Sequence, residues 1–248
     1  MTHAPKIAAD GQAPDPAALA RDFAGVDCWI FDLDNTLYPS ELRLFSQIEA
    51  RMTAYVQRVL NVDAAEASRL RVHYWREHGT TLAGLMAHHD IDPVDYLDEV
   101  HAIDLSAVPP DEALAAAIRA LPGQKIVHTN ADAAYAVRVL SRRRLAVFDA
   151  VYGIGEVDYH PKPDPRSFAA VLARQGIDPT RAAMVEDDPR NLQVPFSLGM
   201  RTVLVGPGRH GPDDLAHDHV HGDHVMWHTH DLTGFMAALA ATLSAVAG

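Results

Sequence analysis

Cys28-Trp29-Ile30-Phe31 is a continuous apolar run that ends in two carboxylates, Asp32 and Asp34. A run with no polar alternation belongs to a strand covered on both faces, as in a parallel sheet packed between helices. No other stretch restricts the fold as strongly. Residues i and i+2 of an extended chain share a side, so Asp32 and Asp34 converge near one point. Converging carboxylates repel unless a positive charge lies between them, and a hard divalent cation such as Mg2+ suits oxygen ligands. Thr36 adds a hydroxyl, and Tyr38-Pro39 turns the chain away. The plain alternative is a polar turn after a strand. A calcium loop would need Gly at its sixth position and Glu at its twelfth; Leu37 and Arg43 stand there, which excludes it.

The first strand is expected over 27–33. Helical periodicity follows at 42–59, 64–78, 82–89 and 94–102, with Asp63 and Pro93 as starts. A helix at 112–120 then opens an alternation of short strands (125–129, 147–152, 182–185, 202–205) and helices (132–142, 165–175, 191–198), closed by a short strand and a helix at 232–246. Such alternation implies right-handed crossovers. The expected fold is α/β: a Rossmann-like parallel sheet flanked by helices, with an inserted α-helical cap. The boundaries are a flexible arm over 1–25, a core from 26–40 and 121–248, and a helical cap over 41–120. The arm is inferred from Pro5, Pro14 and Pro16 among small and polar residues.

The 248 residues carry a net charge of -12, which argues against a nucleic-acid polymer or an anionic membrane as partner. An anionic substrate would then need a local positive group. Cys28 is the single cysteine, so no internal disulfide forms, and its place in the core strand makes it a structural thiol. No apolar stretch is long enough to span a bilayer, and the first residues lack a signal-peptide core, so a cytoplasmic protein is expected. Nothing in the pattern fixes an oligomeric state.

Ligands on parallel sheets bind at the carboxyl ends of the strands. Thr129 and Asn130 follow the 125–129 strand, where a hydroxyl and helix-opening amides would donate to an anion; a plain helix cap is the alternative. Lys162 sits in His160-Pro161-Lys162-Pro163-Asp164-Pro165, where alternate prolines stiffen the loop. Isolated loop lysines are ordinarily solvated, yet a rigidly mounted one fits an acidic protein that needs a cation. Glu186-Asp187-Asp188 ends another strand and needs solvent or a cation; an exposed helix start favoured by the dipole is the alternative.

The ordered set Asp32-x-Asp34-x-Thr36, Thr129, Lys162 and Glu186-Asp187 resembles the four-motif signature of the haloacid dehalogenase (HAD) superfamily of phosphatases. The helical insert stands where that superfamily's C1 cap belongs. The segments 31–39 and 78–85, with Glu186-Asp187-x-x-Arg190-Asn191-Leu192, are similar to its pyrimidine 5'-nucleotidase-like branch. The resemblance implies a phosphomonoester hydrolase acting on a small-molecule phosphate ester, with nucleoside monophosphates first. It implies Asp32 as nucleophile forming an aspartyl-phosphate, Asp34 as general acid and base, and Thr129 with its neighbouring amides on the phosphoryl group. Lys162 would offset charge, and Asp32, Asp187, the Asp34 carbonyl and Glu186 (directly or through water) would hold Mg2+. Hydrolytic dehalogenases resemble this chain but generally lack an acid at the second position, so Asp34 points to phosphate esters. Asp188 departs from the pattern, where a small residue is usual. In the cap, His73, Tyr74, Trp75, His78 and Thr81 are candidates for touching a base or sugar. A sugar-phosphate phosphatase or phosphomutase on the same core, and a silent binding or regulatory protein, are the alternatives.

Two motifs point elsewhere. Gly206-x-Gly208-x-x-Gly211 fits a dinucleotide fingerprint, but a polar run follows it where that motif requires a helix. The histidines from His217 to His230 offer zinc-type ligands, with a polar loop before the last strand and helix as the simpler account.

Overall fold

Seven parallel strands form one sheet in the computed structural model, which describes residues 6–7, 14–207 and 222–247. They are β1 (Lys6–Ile7), β2 (Cys28–Phe31), β3 (Gln124–His128), β4 (Ala150–Tyr152), β5 (Ala182–Glu186), β6 (Arg201–Val205) and β7 (Trp227–Thr229), in the order β1-β7-β6-β5-β2-β3-β4. The fully apolar β2 is buried at every position and lies in the middle, with Ile30 level with Ile126 of β3 and Met184 of β5. From β2 the chain goes outward to β3 and β4, then crosses back to β5, β6 and β7. The carboxyl ends of β2, β3 and β5 therefore border the crevice where the winding reverses. Strand ends shift slightly from the expected ones, most at β4, which starts at Ala150.

The helices are α1 (Pro16–Phe23), α2 (Leu44–Leu60), α3 (Ala64–His78), α4 (Thr81–His88), α5 (Pro93–Val100), α6 (Glu112–Ala120), α7 (Ala133–Arg143), α8 (Pro165–Gln175), α9 (Gln193–Ser197) and α10 (Leu232–Ala247). Among the described residues no helix is long and apolar enough to cross a membrane.

The arm expected over 1–25 needs correction where it is described. Asp15 caps α1 by accepting from the Ala17 amide, Pro16 opens it, and Leu19 and Phe23 are buried. Phe23 stacks on Trp29 at 5.8 Å between centroids and meets Phe235 of α10 edge-on at 6.3 Å. Burying a large apolar side chain contributes about 1.5–3 kcal/mol, so Leu19 and Phe23 suffice to dock one short helix. Lys6–Ile7 pairs in parallel with β7, a two-residue strand too short to show periodicity in the sequence.

Helices α2 to α5 make up the insert between β2 and β3. Each turn carries its own punctuation: Asp63 caps α3, Thr80 caps α4, and Asp92 caps α5 through side-chain oxygens on backbone amides. Gly79 ends α3 at φ +83°, which an L side chain rarely adopts. Drawing the boundary at 120 places Glu112–Ala120 in the insert, whereas the structure packs α6 along α10. Its buried Leu114, Ala115 and Ile118 therefore belong to the layer that covers the sheet.

Cys28 is buried, and burial, with Asp27 and Asp149 nearby, pushes its thiol up to about 12, as expected of a structural cysteine. The Gly208 and Gly211 positions of the glycine motif, and His217 to His221, lie outside the described residues. His228 lies in β7 and His230 follows it, and the His228 ring bonds the Gly206 carbonyl at 2.6 Å.

Candidate active site

Asp32 is the first residue beyond β2, and its amide donates to the Val185 carbonyl at 2.9 Å, extending the ladder to β5. The chain then folds over itself: the Leu37 amide donates to the Leu33 carbonyl at 2.9 Å, and Asn35 takes a left-handed φ of 58°. Asn tolerates that region better than most residues, which is why it fits between the acid and Thr36.

Three further segments meet Asp32. The Lys162 ammonium donates to Asp32 Oδ1 at 2.7 Å and to Glu186 Oε2 at 2.6 Å; Lys162 is 1% exposed and Asp32 6%. The other Glu186 oxygen accepts from the Asp187 and Asp188 amides, each at 3.2 Å. Thr36 Oγ1 donates to Asp187 Oδ1 across 3.4 Å. Thr129 is buried at the end of β3, where its hydroxyl accepts from the Ala131 amide at 3.0 Å, leaving its proton to donate.

Three buried carboxylates, those of Asp32, Glu186 and Asp187, thus face one ammonium. Each offers an oxygen, and these atoms lie within 4.8 Å of one another. Burial first, then Glu186, pushes Asp32 up to about 6; burial pushes Glu186 up to about 8; burial and Asp32 raise Asp187. The two negative charges left over match one divalent cation, and the all-oxygen donor set suits a hard one. The residues present therefore fit Mg2+. The Asp34 side chain is outside this trio. Its Oδ1 accepts from Tyr38 at 2.6 Å and Tyr135 at 3.1 Å, and burial followed by the Asp32 charge raises its pKa.

Two positioning tasks, those of Asn130 and Arg143, were not apparent from the sequence. The Asn130 side chain holds the Lys162 backbone from both sides, donating to its carbonyl at 3.1 Å and accepting from its amide at 2.8 Å. Its side-chain amide is thus engaged on the loop that carries the lysine. Arg143 turns inward from the end of α7 to reach the Leu37 carbonyl (3.2 Å), the Pro109 carbonyl (3.0 Å) and Asp111 (2.6 Å). It so ties the chain leaving the sheet to the chain returning from the insert. The sequence signal was an Arg run at a helix end, which fits the dipole equally well.

Residues 26–195 match the family described as haloacid dehalogenase-like hydrolase, and residues 160–232 match a second, HAD-hydrolase-like description. The first match spans well over half of the chain. The chain belongs to the haloacid dehalogenase-like hydrolases. Among its relatives, Phosphate metabolism protein 8 of Saccharomyces cerevisiae is 25% identical over 211 residues, covering 77% of this chain and 63% of that protein. The chain therefore spans less than two thirds of the yeast protein's length. A predicted phosphoglycolate phosphatase from Haemophilus somnus has TM-score 0.56 at 18% identity, over 85% of this chain and 96% of that one. A defluorinating L-2-haloacid dehalogenase has TM-score 0.51 at 19% identity, over 88% and 95%. Phosphatase and dehalogenase share this fold, so the side chains must decide between their chemistries.

Within this HAD hydrolase, Asp188 is not a loose charge beside the trio. It accepts from the Arg190 amide at 2.9 Å and from Arg190 Nε at 3.0 Å, capping the short helix 189–192. The Arg190 guanidinium in turn lies 4.1 Å from the Trp75 ring centroid, joining the acidic loop to the insert. Nearby, a Cβ placed on Gly79 would stand 3.4 Å from Pro161 Cγ, so the α3–α4 turn abuts the lysine loop. Of the expected substrate contacts in the insert, Tyr74 is buried with its hydroxyl on His89 (2.6 Å), and Thr81 donates to the Arg71 carbonyl at 3.2 Å. These two are packing residues. His78 pairs with His88, ring nitrogen to ring nitrogen, at 3.1 Å.

Proposed function

We propose that this chain is a Mg2+-dependent phosphomonoester hydrolase that works through an aspartyl-phosphate. The observation that carries the proposal is Asp34, a carboxyl two residues beyond Asp32 whose pKa is raised by burial and which two phenols hold. A halide departs without a proton, whereas an alkoxide needs one, so an acid at this place serves ester cleavage.

Asp32 attacks phosphorus as the ester P–O bond breaks, and Asp34 gives its proton to the departing alkoxide oxygen. Asp34, now a carboxylate, takes a proton from water, which attacks the acyl phosphate and releases inorganic phosphate and the Asp32 carboxylate. Lys162 lies against Asp32 and offsets the charge gathered there as the phosphoryl group arrives. Thr129 and its neighbouring amides stand at the end of the adjacent strand, suited to the phosphoryl oxygens. Asp32, Asp187 and the Asp34 main-chain carbonyl would hold Mg2+, with Glu186 direct or through water. When bound, the ion supplies charge neutralisation and a template for in-line transfer. The insert serves as a cap over these groups.

Nucleoside monophosphates, pyrimidine ones first, are the proposed substrates; support comes from the 31–39 and 78–85 segments and their likeness to that nucleotidase branch. The test is phosphate release with Mg2+ from a panel of nucleoside monophosphates, sugar phosphates and p-nitrophenyl phosphate. Turnover that disappears in Asp32→Asn and in EDTA supports the proposal. No release by either protein would favour a binding role.

A further inference from the structure

One oxygen of Asp34 carries both of its phenol contacts. Tyr38 Oη donates to Oδ1 at 2.6 Å, Tyr135 Oη donates to the same atom at 3.1 Å, and the two hydroxyls are 3.4 Å apart. Both rings are buried, and each hydroxyl has one proton, which it donates to Oδ1. An oxygen that accepts two hydrogen bonds is the carbonyl-like one of a carboxylic acid, so a proton on this group resides on Oδ2.

The clamp is itself braced. Tyr38 belongs to the chain leaving the sheet, and Tyr135 to the first turn of α7. His101, the residue after α5, stacks on the Tyr135 ring at 4.7 Å and 21°. Arg138 fixes His101 by donating to its carbonyl at 2.6 Å.

We propose that Tyr38 and Tyr135 are positioning residues that hold Asp34 in one rotamer, with Oδ2 presenting the proton. The inference rests on the phosphatase function proposed above and adds two residues to it. As the ester P–O bond breaks, its electron pair stays on the leaving oxygen, which takes the proton from Oδ2. The carboxylate left behind is stabilised at Oδ1 by both phenols until it removes a proton from water and is restored. Neither phenol gains or loses a proton over the cycle.

Tyr38→Phe, Tyr135→Phe and the double variant keep the ring and remove only the hydroxyl. The experiment measures kcat/KM with Mg2+ for phenyl phosphate and p-nitrophenyl phosphate, two esters of nearly one shape. Nitrophenolate leaves readily without a proton, whereas phenolate benefits from one. Because both substrates are assayed on one preparation, their ratio does not depend on the fraction folded. The phenyl-to-nitrophenyl ratio should fall by roughly tenfold in the double variant and by less in each single one. Equal slowing on both esters, or no slowing on either, overturns the positioning role and leaves the phosphatase function standing. Absence of phosphate release by the wild type, or release that persists in Asp32→Asn, overturns the function itself and this inference with it.

Discussion

Asp32 and Asp34 are the same residue type two positions apart, and the structure gives them opposite surroundings. Asp32 lies on a floor of charge, with Lys162 at 2.7 Å and two further acids close by. Asp34 lies against a wall of neutral donors, with no cation on its side chain among the contacts described. On the floor the ammonium opposes the upward push of burial and Glu186, which still leave Asp32 at about 6, and a bound dication would reward the charged form further. The wall favours a carboxylic acid, because burial penalises charge and phenols only moderate it. One strand end can thus supply a nucleophile and a proton donor, with the difference residing entirely in what each side chain touches.

The largest expected effect lies on the floor. Asp32→Asn should abolish phosphate release, since no acyl phosphate forms on an amide; residual turnover above background would contradict the nucleophile role. Asp34→Asn should lower kcat/KM by about 10²–10⁴ for poor leaving groups and less for p-nitrophenyl phosphate. It should also slow hydrolysis of the acyl phosphate, which a single-turnover assay would resolve. Lys162→Met leaves the Asp32 and Glu186 carboxylates buried without their ammonium, and should cost about 3–5 kcal/mol in a denaturant titration. A loss under about 1 kcal/mol would mean that these acids are solvated after all.

The pH dependence of stability tests the same floor without its cation. Asp32 is raised from 3.8 to about 6 and Glu186 from 4.5 to about 8. A carboxyl with the higher pKa in the folded state binds its proton more tightly there. The stability it contributes is present below the unfolded value and is lost as pH rises through the folded one. Metal-free protein should therefore lose melting temperature from about pH 4 to about pH 8, and Mg2+ should restore most of it near pH 8. A flat profile in EDTA would remove the excess-charge argument for the ion. The smallest effect belongs to the insert: a Trp75→Ala, Arg190→Ala double-mutant cycle should give a coupling of about 0.5–1 kcal/mol.

Much of the floor was legible in the sequence because its members end or follow strands. A buried apolar run announces its own end, and the polar residue after it is automatically near the crevice. Lys162 could be singled out from its prolines, although the side chain is buried where loop lysines are usually solvated. The wall was not legible. Tyr135 is 101 positions from Asp34 and occupies a helical core position like any other aromatic residue. The Asn130 clamp on Lys162 and the reach of Arg143 to Leu37 are likewise long-range side-chain-to-backbone bonds, which leave no periodic trace. Short elements escaped for another reason: β1 has two residues, and the acidic loop opens with a short 3₁₀ helix over Pro189–Leu192 before α9 begins. Tyr74 and Thr81 were candidates for meeting substrate, but the close approach of α3 and α4 takes both inward. A Cβ on Gly84 would fall 2.3 Å from Tyr74 Cβ, leaving no slack between those helices.

The abutment of Gly79 on the lysine loop, together with Trp75 over Arg190, has a kinetic meaning. Asp32 and Lys162 are almost wholly shielded in this conformation, so on the proposed phosphatase function an ester would enter, and orthophosphate leave, only with the insert moved aside. Each catalytic round would then include two hinge movements that solvent friction can slow. For a good leaving group, viscogens such as sucrose would then drag on turnover even while the bond-breaking steps stay fast.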